Sequence, residues 1–243
     1  TYGELAELMD IAGKQAEPRS LIFHLCKNTA GSVIGYLAFV QHEAVPVMLN
    51  AKIDDDLLAN LLKIYAPAYI WAPIEETGRF EYEKVFEFWG YVLLRTENDR
   101  YPLHHKLQLC MTTSGSTGSP KLVRYKKGNL EANAKNVAAA FGWTEKEHPI
   151  CDLGMQYTMG LNVINTHLYA GATVLLTTYN LMSGAFWDYI KQEKGTNFTG
   201  VPFSYDIFYR LHFEQMDLPD LHTLSQGGGK LTDARFVQLA EYA

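Results

Sequence analysis

The sequence predicts an α/β protein of mainly parallel sheets flanked by helices. Three observations carry that expectation. Short apolar runs of strand length alternate along the chain with longer stretches of helical spacing, the order that parallel strands joined by helical crossovers require. Runs such as "LIFHLC" (21–26) are nearly continuous in apolar residues, as strands covered on both faces are. Helix-like stretches carry their own punctuation, with hydroxyl or acidic residues at the start and glycine at the end.

Taken in order, Thr1 caps a first helix, and Glu4 three residues on completes a capping box. Leu5, Leu8, Met9 and Ala12 then fall at helical spacing. A strand is expected at 21–26, a helix at 29–44 and a strand at 45–49. "DDDLLANLLKIYA" (54–66) opens with acids, which favour a helix N-terminus. "AYIWA" (68–72) follows as a strand. The stretch 73–90 is mixed and aromatic and receives no element. Strands are expected at 91–95, 106–112 and 121–125, and a helix at 129–142 ending on a C-cap glycine. The alternation continues with 149–153 (strand), 159–171 (helix), 173–178 (strand) and 183–195 (helix, closed by Gly195). It ends with 197–202, 204–213, 221–226 and the helix-like 231–243. The expected organisation is two sub-lobes, about 1–100 and 101–243.

Composition bounds the function. The chain has 243 residues, 47% hydrophobic and 20% charged, which is ordinary globular make-up. A net charge of −6 argues against a dedicated nucleic-acid binder, since phosphate-backbone binding leaves a basic footprint. Cys26, Cys110 and Cys151 show no metal-ligand spacing and suit a reducing compartment. No apolar run approaches the roughly 18 residues of a membrane span, so a cytoplasmic protein is expected. His104 and His105 lack companion ligands at metal spacing.

The most unusual stretch is "MTTSGSTGSPKLVRYKK" (111–127). Six Ser or Thr residues and two glycines fill Thr112 to Ser119, and Lys121, Arg124, Lys126 and Lys127 follow. Glycine permits close backbone approach, successive N–H groups form an anion nest, and hydroxyls donate to phosphate oxygens. The stretch therefore reads as a phosphate cradle, with a polar hairpin turn as the bland alternative. It is not a Walker A loop, which would open a helix. Here Pro120 and Lys121 lead into a strand. Lys126 and Lys127 read as the solvated face of that strand.

"TTSGSTGSPKLV" resembles the phosphate-loop signature of the acyl-adenylate-forming enzymes, which include acyl-CoA synthetases and peptide-synthetase adenylation domains. "DLGMQYTMGLNVINTHLYAGATVLL", "NFTGVPFSYDIFYRL" and "LSQGGGKL" resemble later segments of that family, in order. The resemblance covers essentially the whole chain. It implies a truncated N-terminal domain of the acyl-adenylate-forming fold. Ser114, Gly115, Ser116, Thr117, Gly118 and Lys121 match the loop around the ATP phosphates, with Thr113 at its start. Tyr157 and Gly160 match the aromatic and glycine that line the acyl and adenylate site. Gly227, Gly228 and Gly229 match the turn against which adenine and the acyl group pack. Asn162, Val163, Ile164 and Phe203 are compatible with an acyl or aryl group, although Val163 and Ile164 read first as ordinary core. Leu122 departs from the family, which often has glycine after the Pro-Lys pair.

The implied chemistry is attack of a carboxylate on the ATP α-phosphorus. This gives acyl-adenylate and pyrophosphate with magnesium as the phosphate counter-ion, followed by transfer to a thiol, usually coenzyme A. Such a reaction depends on positioning and charge stabilisation. Thr158, rather than an acid, follows Tyr157, which argues against an α-amino-acid substrate, because a buried ammonium needs a partner. The family's Thr-Glu motif for magnesium, its ribose-binding Asp and its C-terminal domain with a catalytic lysine are not found in the sequence. The expected metal ligand would therefore lie beyond residue 243, and the chain reads as a fragment incomplete for turnover. Two further readings stay open: a non-catalytic nucleotide- or acyl-binding module, and a phosphotransferase or hydrolase using the same loop. Oligomeric state is left open.

Overall fold

A computed structural model describes residues 1–112 and 121–240. The chain divides into two compact units, 1–130 and 131–243. The division falls after Leu130 rather than near residue 100, because the strands at 107–126 are hydrogen-bonded into the first sheet.

In the first unit, α1 (Tyr2–Gly13) carries the expected capping box, with Thr1 Oγ1 accepting from the Glu4 N–H at 3.3 Å. β1 (Leu21–Cys26), α2 (Ala30–Gln41), β2 (Val45–Asn50), α3 (Asp55–Tyr65) and β3 (Tyr69–Pro73) follow as expected. Asp54 caps α3 by accepting from the Leu57 N–H at 3.0 Å. The unassigned stretch holds a 3-10 turn (Ile74–Arg79) and β4 (Glu83–Phe88). β4 turns into β5 (Tyr91–Arg95) through Trp89 and Gly90, whose φ values of +50° and +75° give the left-handed pair that a two-residue hairpin demands. β6 (Leu107–Thr112) and β7 (Leu122–Lys126) complete a sheet of order β4-β5-β3-β1-β2-β6-β7.

The interior of this sheet, β3-β1-β2-β6, is parallel. Its rims, β4, β5 and β7, are antiparallel. Strand alternation sorts the core. Leu21, Phe23 and Leu25 pack with Leu58 and Leu61 of α3, while Ile22 packs on the opposite face with Phe39 of α2. α1 lies on the outer side of α2 through Ala12, Ile34 and Ala38. Trp71 of β3 is fully buried, stacks on Tyr91 at 5.3 Å and donates its indole N–H to the Gly31 carbonyl at 3.1 Å. Gly35, one turn on, is required by the same contact, because a Cβ there would stand 2.2 Å from Trp71 Nε1. Pro46 sits inside β2, paired in register with Ile22.

The second unit contains most of α4 (Asn129–Phe141), then β8 (Pro149–Cys151), α5 (Thr158–Ala170), β9 (Leu175–Leu176) and α6 (Gly184–Gln192). β10 (Asn197–Gly200), α7 (Pro202–Arg210), β11 (Thr223–Gln226) and α8 (Asp233–Ala240) follow. Its four strands are all parallel in the order β11-β10-β8-β9. Phe186, Ile190, Phe198, Tyr205 and Phe208 form its core. Burying each such side chain contributes about 1.5–3 kcal/mol. α4 and α5 close on Gly142 and Gly171 at positive φ, as expected. α6 closes differently. Lys194 takes the left-handed position at φ +54°, and Gly195 follows it, donating to the Ile190 carbonyl at 2.9 Å. Gly195 stays small because Ile150 and Ile190 would crowd a Cβ at 3.0 Å.

Candidate functional site

In the second unit, the segments that follow β8, β10 and β11 come into contact. In parallel sheets the carboxyl edge faces helix N-termini and is where ligands bind. After β8, the chain loops through 152–157 into α5. Gly160 lies against that loop so closely that a Cβ would meet the Leu153 carbonyl oxygen at 2.3 Å and that of Gly154 at 2.4 Å. Only glycine lets the first turn of α5 approach there.

After β10, Val201 caps α7 and Pro202 occupies its first turn. After β11, the Gly227–Gly229 turn settles between the two helix starts. A Cβ on Gly227 would stand 2.4 Å from Met159 Cε of α5, and one on Gly229 would stand 3.1 Å from Pro202 Cγ of α7. Gly228, at φ +77°, supplies the bend. Gln226 pins the turn, its Nε2 donating to the carbonyls of Gly227 at 2.8 Å and Gly229 at 2.7 Å. The Gly227 N–H donates to the Gly200 carbonyl at 3.1 Å, tying the turn to β10. Two helix N-termini beside a glycine turn offer partial positive charge and close backbone approach, both suited to an anionic or planar ligand.

The sequence-derived residues distribute unevenly around this site. Tyr157 (51% exposed) and Phe203 (65% exposed) stand at the starts of α5 and α7 with their rings in solvent. Gly160, Gly227, Gly228 and Gly229 converge as described. Asn162 is engaged elsewhere: its Oδ1 accepts from Asn133 Nδ2 of α4 at 2.5 Å and from Thr166 Oγ1 at 3.2 Å. Val163 and Ile164 are buried core. Thr113, Ser114, Gly115, Ser116, Thr117 and Gly118 lie outside the described residues. Lys121 is exposed just before β7, and Thr112 pairs antiparallel with Leu122. Of the basic residues further along, Lys126 at the end of β7 is exposed, and Lys127 just past it forms an ion pair with Glu43 at 2.5 Å.

Sequence reasoning missed Asp152, at the carboxyl end of β8. Burial pushes its carboxyl up to about 7, against the pull of the backbone N–H groups of Asp152 and Leu153. Its Oδ1 has no hydrogen-bond partner among the described residues. An acid ending the apolar "PICD" was the available signal. Gln226 was also missed, although it directly precedes the three glycines.

The carboxyl edge of a parallel sheet, with helix starts beside it, is where α/β proteins place their ligands. The chain belongs to the AMP-binding enzyme family, which it matches over residues 2–242. It is similar to the oxalate–CoA ligase of Arabidopsis thaliana, 26% identical over 99% of this chain and 53% of that protein. Among solved structures, it resembles a long-chain-fatty-acid-CoA ligase from Archaeoglobus fulgidus, with a TM-score of 0.82 at 18% identity, over 100% of this chain and 54% of that one. It also resembles the o-succinylbenzoate CoA synthetase of Bacillus subtilis in complex with its acyl-adenylate intermediate, with a TM-score of 0.81 at 20% identity, over 100% and 51%. At those identities the likeness to the solved structures carries the fold alone. The chain spans about half the length of each of these three proteins. No helix among the described residues is long and apolar enough to cross a membrane.

Proposed function

We propose that the protein carrying this chain activates a carboxylic acid with ATP, forming an acyl-adenylate and releasing pyrophosphate, and passes the acyl group to the thiol of coenzyme A. The observation that carries the reading is the convergence of Gly160 and Gly227–Gly229 at the carboxyl edge of a parallel sheet, in a chain of the AMP-binding family. The oxalate–CoA ligase relative supports an acid–thiol ligase.

In this reading, the glycine turn gives a flat backbone surface for the adenine and the acyl group. The exposed rings of Tyr157 and Phe203 offer faces to the acid and exclude water from it. Thr158, at the start of α5, leaves an ammonium unmatched, so the acid lacks an α-amino group. Lys121 and the hydroxyl- and glycine-rich 113–118 hold the phosphates that depart. Among the described residues, no group of three or more His, Cys, Asp or Glu side chains could hold a metal ion.

The test is ATP–pyrophosphate exchange by the protein carrying this chain, across a panel of acids that includes oxalate and long-chain fatty acids. Acid-dependent exchange is expected, and Lys121→Ala is expected to reduce it on the order of a hundredfold, as removal of one charge-stabilising donor does. Acid-independent release of inorganic phosphate would refute the reaction class.

A further inference from the structure

The first unit contains a cavity of about 590 Å³ of whose lining the adenylation reading uses Lys121 alone. It lies where the end of α3, the 101–107 segment and the β6–β7 hairpin meet. Its volume is within the range of small-molecule sites, about 300–1,000 Å³.

Two features of its lining point to one kind of ligand. The wall is largely hydrocarbon, with Ile64, Leu103 and Leu122 prominent. The charged groups are Lys121 and Arg124, both cationic, and no Asp or Glu lines the cavity. Neither cation forms an ion pair among the described residues, whereas the next basic residues of the hairpin include Lys127, paired with Glu43. Strand alternation puts Leu122 and Arg124 on one face of β7. Register places Arg124 opposite Cys110, whose buried thiol is pushed up to about 11 and stays uncharged. Tyr101 closes the rim, its hydroxyl donating to the Tyr65 carbonyl at 2.7 Å. The result is an apolar chamber with two unmatched positive charges on one wall.

We propose that this cavity binds a small amphipathic anion, with its hydrocarbon against Ile64, Leu103 and Leu122 and its carboxylate between Lys121 and Arg124. Burying the apolar part contributes affinity in proportion to its area. The cations select an anion over an uncharged molecule of the same length. The site shares Lys121 with the phosphate loop of the proposed function and no residue with the glycine-built site of the second unit, and octanoate binding read at Ile64 without ATP succeeds or fails independently of adenylation.

Octanoate serves as the probe, with octanol as its uncharged counterpart. Isoleucine-methyl NMR of the 243-residue chain reads the cavity through Ile64. Saturable movement of the Ile64 signal with octanoate is expected, with octanol binding more weakly. Arg124→Gln should weaken octanoate about two- to fivefold, the effect of one solvent-accessible charge contact, and leave octanol unchanged. Leu103→Trp, which narrows the chamber, should weaken octanoate binding read at Ile64 while methyl signals of the second unit such as Ile207 stay in place. An Ile64 signal that octanoate does not move, equal affinity for octanol, or octanoate affinity unaltered by Arg124→Gln would overturn the proposal.

Discussion

Replacing Asp152 by asparagine should change how the stability of the second unit depends on pH. Burial raises the carboxyl from 3.8 to about 7. At 1.36 kcal/mol per unit, ionising it in the folded protein costs about 4 kcal/mol. The sign follows from proton linkage. Between the unfolded and folded pKa values the native state holds the proton and the unfolded state does not, so stability falls as pH rises from about 4 to about 7 and stays low above that. Asparagine is neutral throughout and keeps an oxygen for the Leu153 N–H. It adds an amide N–H whose burial costs about 1–3 kcal/mol if unpaired. The net expectation is that Asp152→Asn is about 2 kcal/mol more stable than the native sequence at pH 8 and no more stable near pH 4. Urea unfolding followed by circular dichroism at several pH values measures this. A difference between the two proteins that does not change with pH would refute the buried, proton-holding Asp152.

Three further outcomes are expected. Gly35→Ala should destabilise the first unit by about 3 kcal/mol or more, because the new methyl would overlap Trp71 Nε1 at 2.2 Å; the denaturant midpoint and the near-ultraviolet tryptophan signal report it. His24, fully buried and bonded to Ser32 Oγ at 2.9 Å, is driven down to about 3 by burial. Its ring should stay neutral in NMR titrations through pH 5, and stability should fall as pH drops below the unfolded value of 6.5. Asp54→Ala should remove the α3 cap at a cost of about 1 kcal/mol, visible as a lower melting temperature.

Much of this architecture was legible because each element announces itself locally. The Thr1–Glu4 box, the acids opening α3, and Gly142 and Gly171 ending α4 and α5 act within a few residues of themselves. Pairing direction is not local, and so the antiparallel rims escaped. Nothing in "YVLLR" distinguishes a strand that runs with its neighbour from one that runs against it. Trp89 in a left-handed turn escaped for a related reason, since the hairpin imposes a conformation that tryptophan does not itself prefer. In the site, glycines were readable because close approach excludes every other residue. Asn162 was not, since its partner Asn133 is brought to it only by the packing of α4 on α5. Asp152 depends on the same kind of context: an acid in sequence becomes a proton-holding group only when the fold buries it.

Pro46 has a consequence for the order in which the first sheet assembles. β1, β2 and β3 lie close in sequence, whereas β6 reaches β2 from far along the chain, through the pairing of Val47 with Cys110 and of Met48 with Met111. Until that strand arrives, β2 is an open apolar edge, the kind that recruits another chain. The Val45 N–H donates toward β1, to the Ser20 carbonyl at 2.8 Å, so alternation turns the Pro46 nitrogen to the unfilled side. That side presents one hydrogen-bond donor fewer to an intruding strand. β6 pairs from Val47 onward and loses nothing by it. A residue ill-suited to a central strand thus acts as a guard against misassociation while the chain is still being completed.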